Sequence, residues 1–275
     1  MDIRMICMDL DGTALQRDRS SFSPRLVKAL EEAHCRGIAI VPVTGRQFGL
    51  LPQPLKEHPV WENLAVLCNG GQVRRLSTGQ LLSGLDIRGD ALEQLLALAE
   101  KYDLPMEFSV DSRLYLTAHS LRSQQDDPGL VFHRDVILAK NGETVPSLAP
   151  LCRETVEKVN LLCIPEHLRD TLVQELQAIA VSAVWSSRNC MEITHPDAHK
   201  GRGLEEACRL LDIPVECTMA LGDSGNDIAM LRRAGLGVAM GNAPDFVKEA
   251  AHVVTDPYDE DGAAKAIERY ALDRN

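Results

Sequence analysis

Several features that mark other protein classes are scarce in this chain of 275 residues. Aromatic residues make up only 4% of the sequence, which argues against a surface that stacks nucleic-acid bases. No apolar stretch reaches the roughly 18 residues that a membrane-spanning helix needs. The N-terminus enters a predicted strand without a signal-peptide pattern, so we expect a cytoplasmic protein.

Basic residues and clustered cysteines are scarce as well. The 29 Lys and Arg residues are outnumbered by 40 Asp and Glu residues, and the net charge of -11 argues against nucleic-acid or anionic-membrane partners. The eight cysteines are scattered singly with no C-x-x-C pair. This spacing predicts reduced core residues rather than a zinc site or a disulfide framework.

An apolar strand that ends in two aspartates is the most informative feature that is present. Asp9 and Asp11 are two residues apart, so in an extended strand they lie on the same side and can face one substrate. Gly12 allows a sharp turn, and the Thr13 hydroxyl can hold that turn in place. Two such carboxyl groups suit phosphoryl transfer with a divalent cation, although a solvated acidic turn explains this motif alone equally well.

Strand and helix patterns alternate in the first third of the chain, which predicts an α/β fold with a mainly parallel, Rossmann-like sheet. Ser23-Pro24 predicts the start of a helix, and Gly37 predicts its end. Thr44-Gly45-Arg46 and Asn69-Gly70-Gly71 each follow a predicted strand. Ligands bind at the carboxyl ends of strands in such sheets, so we expect these segments to converge with the two aspartates.

The middle of the chain has a different pattern, typical of an inserted α+β cap domain. A helix is predicted over residues 90–102, followed by a hairpin over residues 106–117. No clear pattern covers residues 120–150. The remaining predicted elements are a strand over 156–164, a helix over 166–180, and strands over 184–186 and 190–193. We therefore predict a core domain over residues 1–84 and 195–275 with the cap at 85–194.

The alternating pattern resumes near Lys200 and brings a second acidic loop, Gly222 to Asp227. Asp223 and Asp227 can both point back toward the strand end, and hard oxygen ligands suit Mg²⁺. A solvated helix start is the commoner explanation of this loop alone. Thr44-Gly45 can bind an anion, and Lys200 can neutralise one, but a simple turn and a surface lysine are the alternatives.

The order of these segments resembles that of the haloacid dehalogenase-like (HAD) phosphatase superfamily, and the long gap after Thr44 is similar to its Cof-type branch with a large α/β cap. The resemblance covers essentially the whole chain, and four motifs in order make coincidence improbable. The matching segments are Asp9-Leu10-Asp11-Gly12-Thr13, Thr44-Gly45-Arg46, Lys200-Gly201 and Gly222-Asp223-Ser224-Gly225-Asn226-Asp227.

The resemblance implies roles for these residues. Asp9 would be the nucleophile that forms an aspartyl-phosphate, and Asp11 would be the general acid and base. Mg²⁺ would be held by Asp9, Asp223 and the backbone carbonyl of Asp11, with Asp227 behind them or acting through water. The phosphoryl oxygens would be bound by Thr44, Gly45, Lys200 and Asn226, and the rest of the substrate by Arg46 and Asn69.

The expected function is hydrolysis of small phosphorylated metabolites, with sugar phosphates favoured by the resemblance. A phosphosugar mutase that uses the same aspartyl-phosphate chemistry is the nearest alternative. A non-catalytic sensor of phosphorylated ligands is a second alternative, but no expected catalytic carboxylate is missing from the sequence.

Overall fold

The computed structural model describes residues 2–125, 130–131 and 133–273. Contacts divide the chain into two compact units. Unit 1 comprises Met1–Arg46, Leu51–Gly84 and His199–Asn275, and unit 2 comprises Gln47–Leu50 and Leu85–Ala198. The predicted boundaries between core and cap were 84/85 and 194/195, and the contacts place the corresponding breaks at 84/85 and 198/199.

The elements of the described residues are numbered in chain order. The strands are β1 (Met5–Met8), β2 (Ala39–Pro42), β3 (Ala65–Leu67), β4 (Gln72–Arg74), β5 (Leu81–Gly84), β6 (Met106–Val110), β7 (Arg113–Leu116), β8 (Gly142–Thr144), β9 (Val156–Leu161), β10 (Ser182–Ser187), β11 (Cys190–Thr194), β12 (Thr218–Gly222), β13 (Leu236–Ala239) and β14 (Val253–Val254). The α-helices are α1 (Pro24–Cys35), α2 (Gln53–Glu57), α3 (Asp90–Lys101), α4 (Ala118–Ser123), α5 (Ala139–Asn141), α6 (Arg169–Leu176), α7 (Lys200–Leu211), α8 (Ile228–Arg233), α9 (Asp245–Lys248) and α10 (Gly262–Ile267). Across these described residues, no helix is both long enough and apolar enough to cross a membrane.

Unit 1 is built on a five-stranded parallel sheet with the order β14-β13-β12-β1-β2. The prediction of an α/β fold with a mainly parallel sheet is confirmed. All four residues of β1 are buried, as a central strand covered on both faces requires. β1 lies between β2 and β12, so the segments that follow these three strands leave the sheet side by side.

The third predicted strand differs from expectation. β3 pairs with β4, which in turn pairs with β5, in a separate antiparallel sheet. A bridge between Val43 and Val66 links β3 to the segment that follows β2. The backbone N–H of Thr44 donates to the Val66 carbonyl at 2.9 Å. The end of β3 therefore still lies beside the segment that follows β2.

Two helices of unit 1, α1 and α7, begin with a side-chain cap. The Ser23 hydroxyl accepts from the backbone N–H of Leu26 at 3.1 Å, which satisfies one of the free donors at the start of α1. α7 begins at Lys200 and is capped by His199, whose Nδ1 accepts from the backbone N–H of Arg202 at 3.0 Å. The cap fixes the first turn of α7, where Lys200 lies.

Unit 2 is a six-stranded sheet with the order β10-β11-β9-β6-β7-β8, in which only the β7–β8 pair is parallel. α3 and α6 contribute Leu92, Leu95 and Leu172 to a core that includes Phe108 of β6. The predicted helix over residues 166–180 is shorter, with α6 ending at Leu176. Part of the stretch left open, residues 126–129 and 132, lies outside the described residues.

The segment Gln47–Leu50 belongs to unit 2 although it was predicted in the core domain. Gln47 Nε2 donates to the Ser112 carbonyl at 3.1 Å. Leu50 packs against a buried cluster that contains Leu114 and Leu116 of β7. These contacts are remote in sequence, so local patterns around residue 47 carry no sign of them.

A fully buried carboxylate, Glu107, lies at the centre of a polar network in unit 2. It accepts from Gln124 Nε2 at 2.9 Å and from Asn160 Nδ2 at 3.1 Å, and His133 Nε2 lies 2.9 and 3.0 Å from its two oxygens. Burial alone raises the pKa of Glu107, but His133 and then the two amides lower this pKa below its ordinary value.

We expect the stability difference between wild type and Glu107→Gln to shrink in acid. A carboxylate with a lowered folded-state pKa stabilises the fold above its unfolded pKa of about 4.3. That contribution disappears as the pH falls through the folded-state pKa. Urea unfolding between neutral pH and pH about 3 measures the difference, with the exposed Glu100→Gln as control. A difference that stays constant into acid would contradict the stabilising role of the carboxylate.

Candidate active site

Three neighbouring strands of unit 1 deliver the predicted site residues to one edge of the sheet. Asp9 follows β1, Thr44 lies just beyond β2, and Asp223 follows β12. The backbone N–H of Asp9 donates to the Leu221 carbonyl of β12 at 3.0 Å, which continues the ladder up to the first aspartate. The strand order therefore places the motif segments together, as open α/β sheets do at their carboxyl ends.

Lys200 is buried between two carboxylates. Its Nζ lies 2.6 Å from Asp9 Oδ1 and 2.7 Å from Asp227 Oδ1, and its side chain is only 1% exposed. Burial alone lowers the pKa of Lys200, but Asp227 and Asp9 more than offset this and raise the pKa above its ordinary value. The structure excludes a surface lysine and places this ammonium between two carboxylates of the site.

Asp223 lies beside the turn that follows Asp9. The Thr13 hydroxyl donates to Asp223 Oδ1 at 3.2 Å, and Asn242 Nδ2 donates to Asp223 Oδ2 at 3.3 Å and to the Gly12 carbonyl at 3.0 Å. Burial and then the charge of Asp227 raise the pKa of Asp223 to about 6, against the opposing effect of Lys200. The Asp223 carboxylate is therefore held in place but destabilised in its charged form.

Asp227 organises the acidic loop. Its Oδ2 accepts from the backbone N–H groups of Asp223 and Ser224, both at 2.9 Å, while Oδ1 faces Lys200. With both oxygens already bonded, this carboxylate orients its neighbours more than it projects outward.

The three carboxylates form a group that fits a divalent cation. Asp9, Asp223 and Asp227 each offer an oxygen within 4.8 Å of the others. Burial raises the pKa of Asp9, with Lys200 opposing and the two other aspartates adding to the rise. Three acidic groups share one ammonium, so a cation bound to these hard oxygen ligands would relieve the excess negative charge.

Asp11 is separate from this group and pairs with Arg46. Arg46 Nε donates to Asp11 Oδ2 and its terminal nitrogen to Asp11 Oδ1, both at 2.7 Å. The Asp11 side chain is 41% exposed, in contrast to the buried Asp9. The two aspartates of the first motif thus occupy different environments.

The remaining predicted residues lie in the turns beside these groups. Thr44 is buried, and its hydroxyl accepts from the backbone N–H of Arg46 at 3.2 Å, with the half-buried Gly45 between them. Asn226 Nδ2 donates to Asn69 Oδ1 at 3.0 Å. Thr44 and Asn226 therefore bond to other residues of the site in this structure.

Sequence reasoning left two contributors to the site without a role. Thr13 was expected only to hold its own turn, but it reaches Asp223 across 210 positions. Asn242 lies outside the four motif segments, and its Oδ1 also accepts from the backbone N–H of Tyr258 at 3.1 Å. Such long-range partners leave no local pattern in a single sequence.

We expect Gly12→Ala to destabilise the fold more than Gly37→Ala. Both glycines have a φ of +77°, so an alanine at either position costs about 1–2 kcal/mol in the left-handed region. A Cβ at Gly12 would also come within 2.4 Å of Asp223 Oδ2, whereas a Cβ at Gly37 would meet no atom of another described residue within 4 Å, its chain neighbours aside. Chemical denaturation compares the two variants, and equal losses would contradict the close packing of Asp223 on Gly12.

Comparisons with known proteins identify related sequences and a similar fold. The family model described as haloacid dehalogenase-like hydrolase matches residues 6–267. YxeH of Bacillus subtilis is 30% identical over 273 residues, which cover 98% of each chain. The pyridoxal phosphate phosphatase YbhA of Escherichia coli is 27% identical over 283 residues, covering 97% of this chain and 98% of YbhA. The solved structure of the HAD subclass IIB sugar phosphatase BT4131 has a TM-score of 0.84 at 26% identity and covers 98% of this chain and 99% of that one.

Proposed function

The chain belongs to the haloacid dehalogenase-like hydrolases and is a phosphatase, and we propose that it hydrolyses small phosphomonoesters through a phosphorylated Asp9. The observation that carries this proposal is the buried Asp9 carboxylate, 2.6 Å from the Lys200 ammonium at the end of β1. Sugar phosphates are the leading substrate class because BT4131 is a sugar phosphatase, and pyridoxal phosphate is a second class because YbhA acts on it.

Asp9 attacks phosphorus in this proposal. Its buried position limits hydration of the carboxylate, and Lys200 holds one oxygen so that the other is free to attack. Forming an aspartyl-phosphate divides one difficult hydrolysis into two easier transfers. Lys200 stays beside the reacting groups and stabilises the negative charge that spreads over the phosphoryl oxygens.

A divalent cation, which we propose to be Mg²⁺, would be held by Asp9, Asp223 and the Asp11 backbone carbonyl, with Asp227 supporting them. The fit rests on the three converging carboxylates and on the raised pKa values of Asp9 and Asp223. When bound, Mg²⁺ neutralises repulsion between the anionic nucleophile and the phosphate.

Asp11 transfers the proton in this proposal. Both oxygens of Asp11 accept from the Arg46 guanidinium, so Asp11 has to part from Arg46 and gain a proton from solvent before it can protonate the leaving oxygen. A leaving group that bonds to Arg46 would release Asp11 in this way. Asp11 would afterwards take a proton from the water that hydrolyses the aspartyl-phosphate.

Thr44, Gly45, Lys200 and Asn226 are proposed to bind the phosphoryl oxygens. The Thr44 hydroxyl and the Gly45 backbone lie in the turn after β2, and the Asn226 amide lies in the loop after β12. Donors supplied by separate loops can surround the three oxygens without moving during the reaction, which favours the transition state.

A panel of phosphate esters tests the proposal. Sugar phosphates, pyridoxal phosphate and an aryl phosphate would be incubated with the enzyme, and free phosphate measured with Mg²⁺ and with excess EDTA. We expect phosphate release from at least one ester with Mg²⁺ and none with EDTA. A phosphorylated isomer without free phosphate would identify a mutase instead, and binding without turnover across the panel would identify a sensor.

A further inference from the structure

The turn Cys68–Gly70 lies outside the four motif segments, yet its backbone conformation is unusual. Its three residues have φ values of +50°, +55° and +90°, in the left-handed region that side chains other than those of Asn and Asp rarely adopt. Cys68 and Asn69 are buried, at 0% and 4% exposure. A buried left-handed run persists only where its surroundings hold it, and such runs concentrate at functional sites.

The backbone of the turn is bonded to the segment that follows β2. The Asn69 N–H donates to the Thr44 carbonyl at 3.1 Å, and the Cys68 N–H donates to the Arg46 carbonyl at 3.0 Å. Thr44 and Arg46 are two of the predicted site residues. The left-handed conformation turns both N–H groups toward this segment.

The same turn packs against the start of α7. A Cβ at Gly70 would lie 2.1 Å from the His199 carbonyl oxygen, so only glycine fits there. Arg202 donates to the Gly70 carbonyl at 3.1 Å. Since Lys200 lies in the first turn of this helix, the segment Cys68–Gly70 also braces the residue whose ammonium lies between Asp9 and Asp227.

The side chain of Asn69 reaches the acidic loop. Its Oδ1 accepts from Asn226 Nδ2 at 3.0 Å, and Asn226 Oδ1 accepts from the Ser224 hydroxyl at 2.6 Å. The Ser224 N–H in turn donates to Asp227 Oδ2 at 2.9 Å. The Asn226 amide is bonded at both ends, which leaves it a single orientation.

We propose that Asn69 is a positioning residue that orients Asn226 and the acidic loop. It does so from a turn braced against two of the other three motif segments, Thr44-Gly45-Arg46 and Lys200-Gly201. This inference rests on the proposed function, since Asn226 is taken there to bind the phosphoryl group. It differs from the sequence-based expectation that Asn69 contacts the substrate. A nearly buried amide whose oxygen is already bonded to Asn226 is better suited to hold a neighbour than to bind a leaving group.

Asn69→Gly tests the inference cleanly, because glycine keeps the left-handed backbone without strain and removes only the amide side chain. We expect kcat to fall about 10- to 100-fold with little change in KM, as when outer supporting groups are removed. The fall should be the same for p-nitrophenyl phosphate and for a hexose phosphate, since a positioning residue does not touch the leaving group. Asp212→Gly, at an exposed left-handed position that ends α7, controls for the backbone change and should retain wild-type rates.

A double variant separates positioning from direct contact. In an Asn226→Ala background, Asn69→Gly should cause no further loss, because the group that it positions is absent. An additional loss of the same size, or a loss confined to the hexose phosphate, would overturn the inference in favour of substrate contact. If Asn69→Gly keeps the wild-type rate while Asp9→Asn is inactive, the positioning role of Asn69 is overturned and the proposed function stands. An Asp9→Asn variant as active as wild type would overturn the proposed function as well.

Discussion

Asp9→Asn should lower phosphate release by on the order of 10⁴-fold or more, as removal of other enzymic nucleophiles does. The amide has the shape of the carboxylate but lacks its nucleophilic oxygen, so the aspartyl-phosphate cannot form. Initial rates with an aryl phosphate and Mg²⁺ measure the effect. The exposed Asp90→Asn on α3 makes the same chemical change in unit 2 and should retain the full rate.

The stability of Asp9→Asn separates lost chemistry from lost structure. Because the folded-state pKa of Asp9 is raised, its ionised form opposes folding at neutral pH. A neutral amide removes that penalty, and Lys200 keeps Asp227 as a partner. We therefore expect the metal-free variant to unfold at the same temperature as wild type or higher. A large drop in stability or a retained rate would contradict the assigned role.

Lys200→Met should lower the free energy of unfolding by about 3–5 kcal/mol in metal-free solution, because it leaves two buried carboxylates uncompensated. The side chains of Asp9 and Asp227 are only 7% and 0% exposed, so water cannot replace the ammonium. The rate should fall by roughly 10²-fold or more, because a preorganised charge at the phosphoryl oxygens is lost.

Denaturant unfolding in EDTA measures this loss against a matched lysine. Lys101 pairs with Glu175 at 2.6 Å on the exposed surface of unit 2. Lys101→Met should therefore cost no more than about 1 kcal/mol, the usual range for surface pairs. The deficit of Lys200→Met should also shrink in acid, because Asp9 takes up a proton there. If the two variants lost equal free energy of unfolding, the stabilising role of the buried Lys200 ion pairs would be contradicted.

The convergence of Asp9, Thr44, Lys200 and Asp223 could be predicted from the sequence because it follows from strand order. Each residue lies at or near the end of a predicted strand or the start of a helix, and parallel sheets bring such ends together. The burial of Lys200 could not be predicted in this way. It depends on Asp9, which is 191 positions away, and a lone lysine before a helix is usually exposed.

Side-chain partners were the least predictable part of the site. Arg46 and Asn69 were expected to meet substrate, and in this structure they bond to Asp11 and Asn226. Short motifs specify residue types along the chain, whereas these pairs depend on rotamers and on contacts between distant segments. The family resemblance supplied candidate roles for these residues but not their partners in the fold.

The secondary-structure predictions were wrong where the local sequence pattern and the tertiary contacts favour different structures. β3 has the apolar pattern of a parallel core strand, but this three-residue strand pairs with β4, the strand that follows it in the chain. The helix predicted to residue 180 ends at Leu176, after which the N–H groups of Ala178 and Ile179 bond three residues back. That tighter turn leads the chain toward β10.

Phosphorylation of Asp9 is tested most directly by quenching the enzyme in acid during turnover of an aryl phosphate and locating the added phosphoryl group by peptide mass spectrometry. Asp11→Asn is included because it lacks the proposed base for the second step and should accumulate the intermediate. We predict a phosphoryl group on Asp9 in wild type or in Asp11→Asn, and none in Asp9→Asn. Turnover with the phosphoryl group on another residue, or on no residue in either protein, would contradict the nucleophilic role of Asp9.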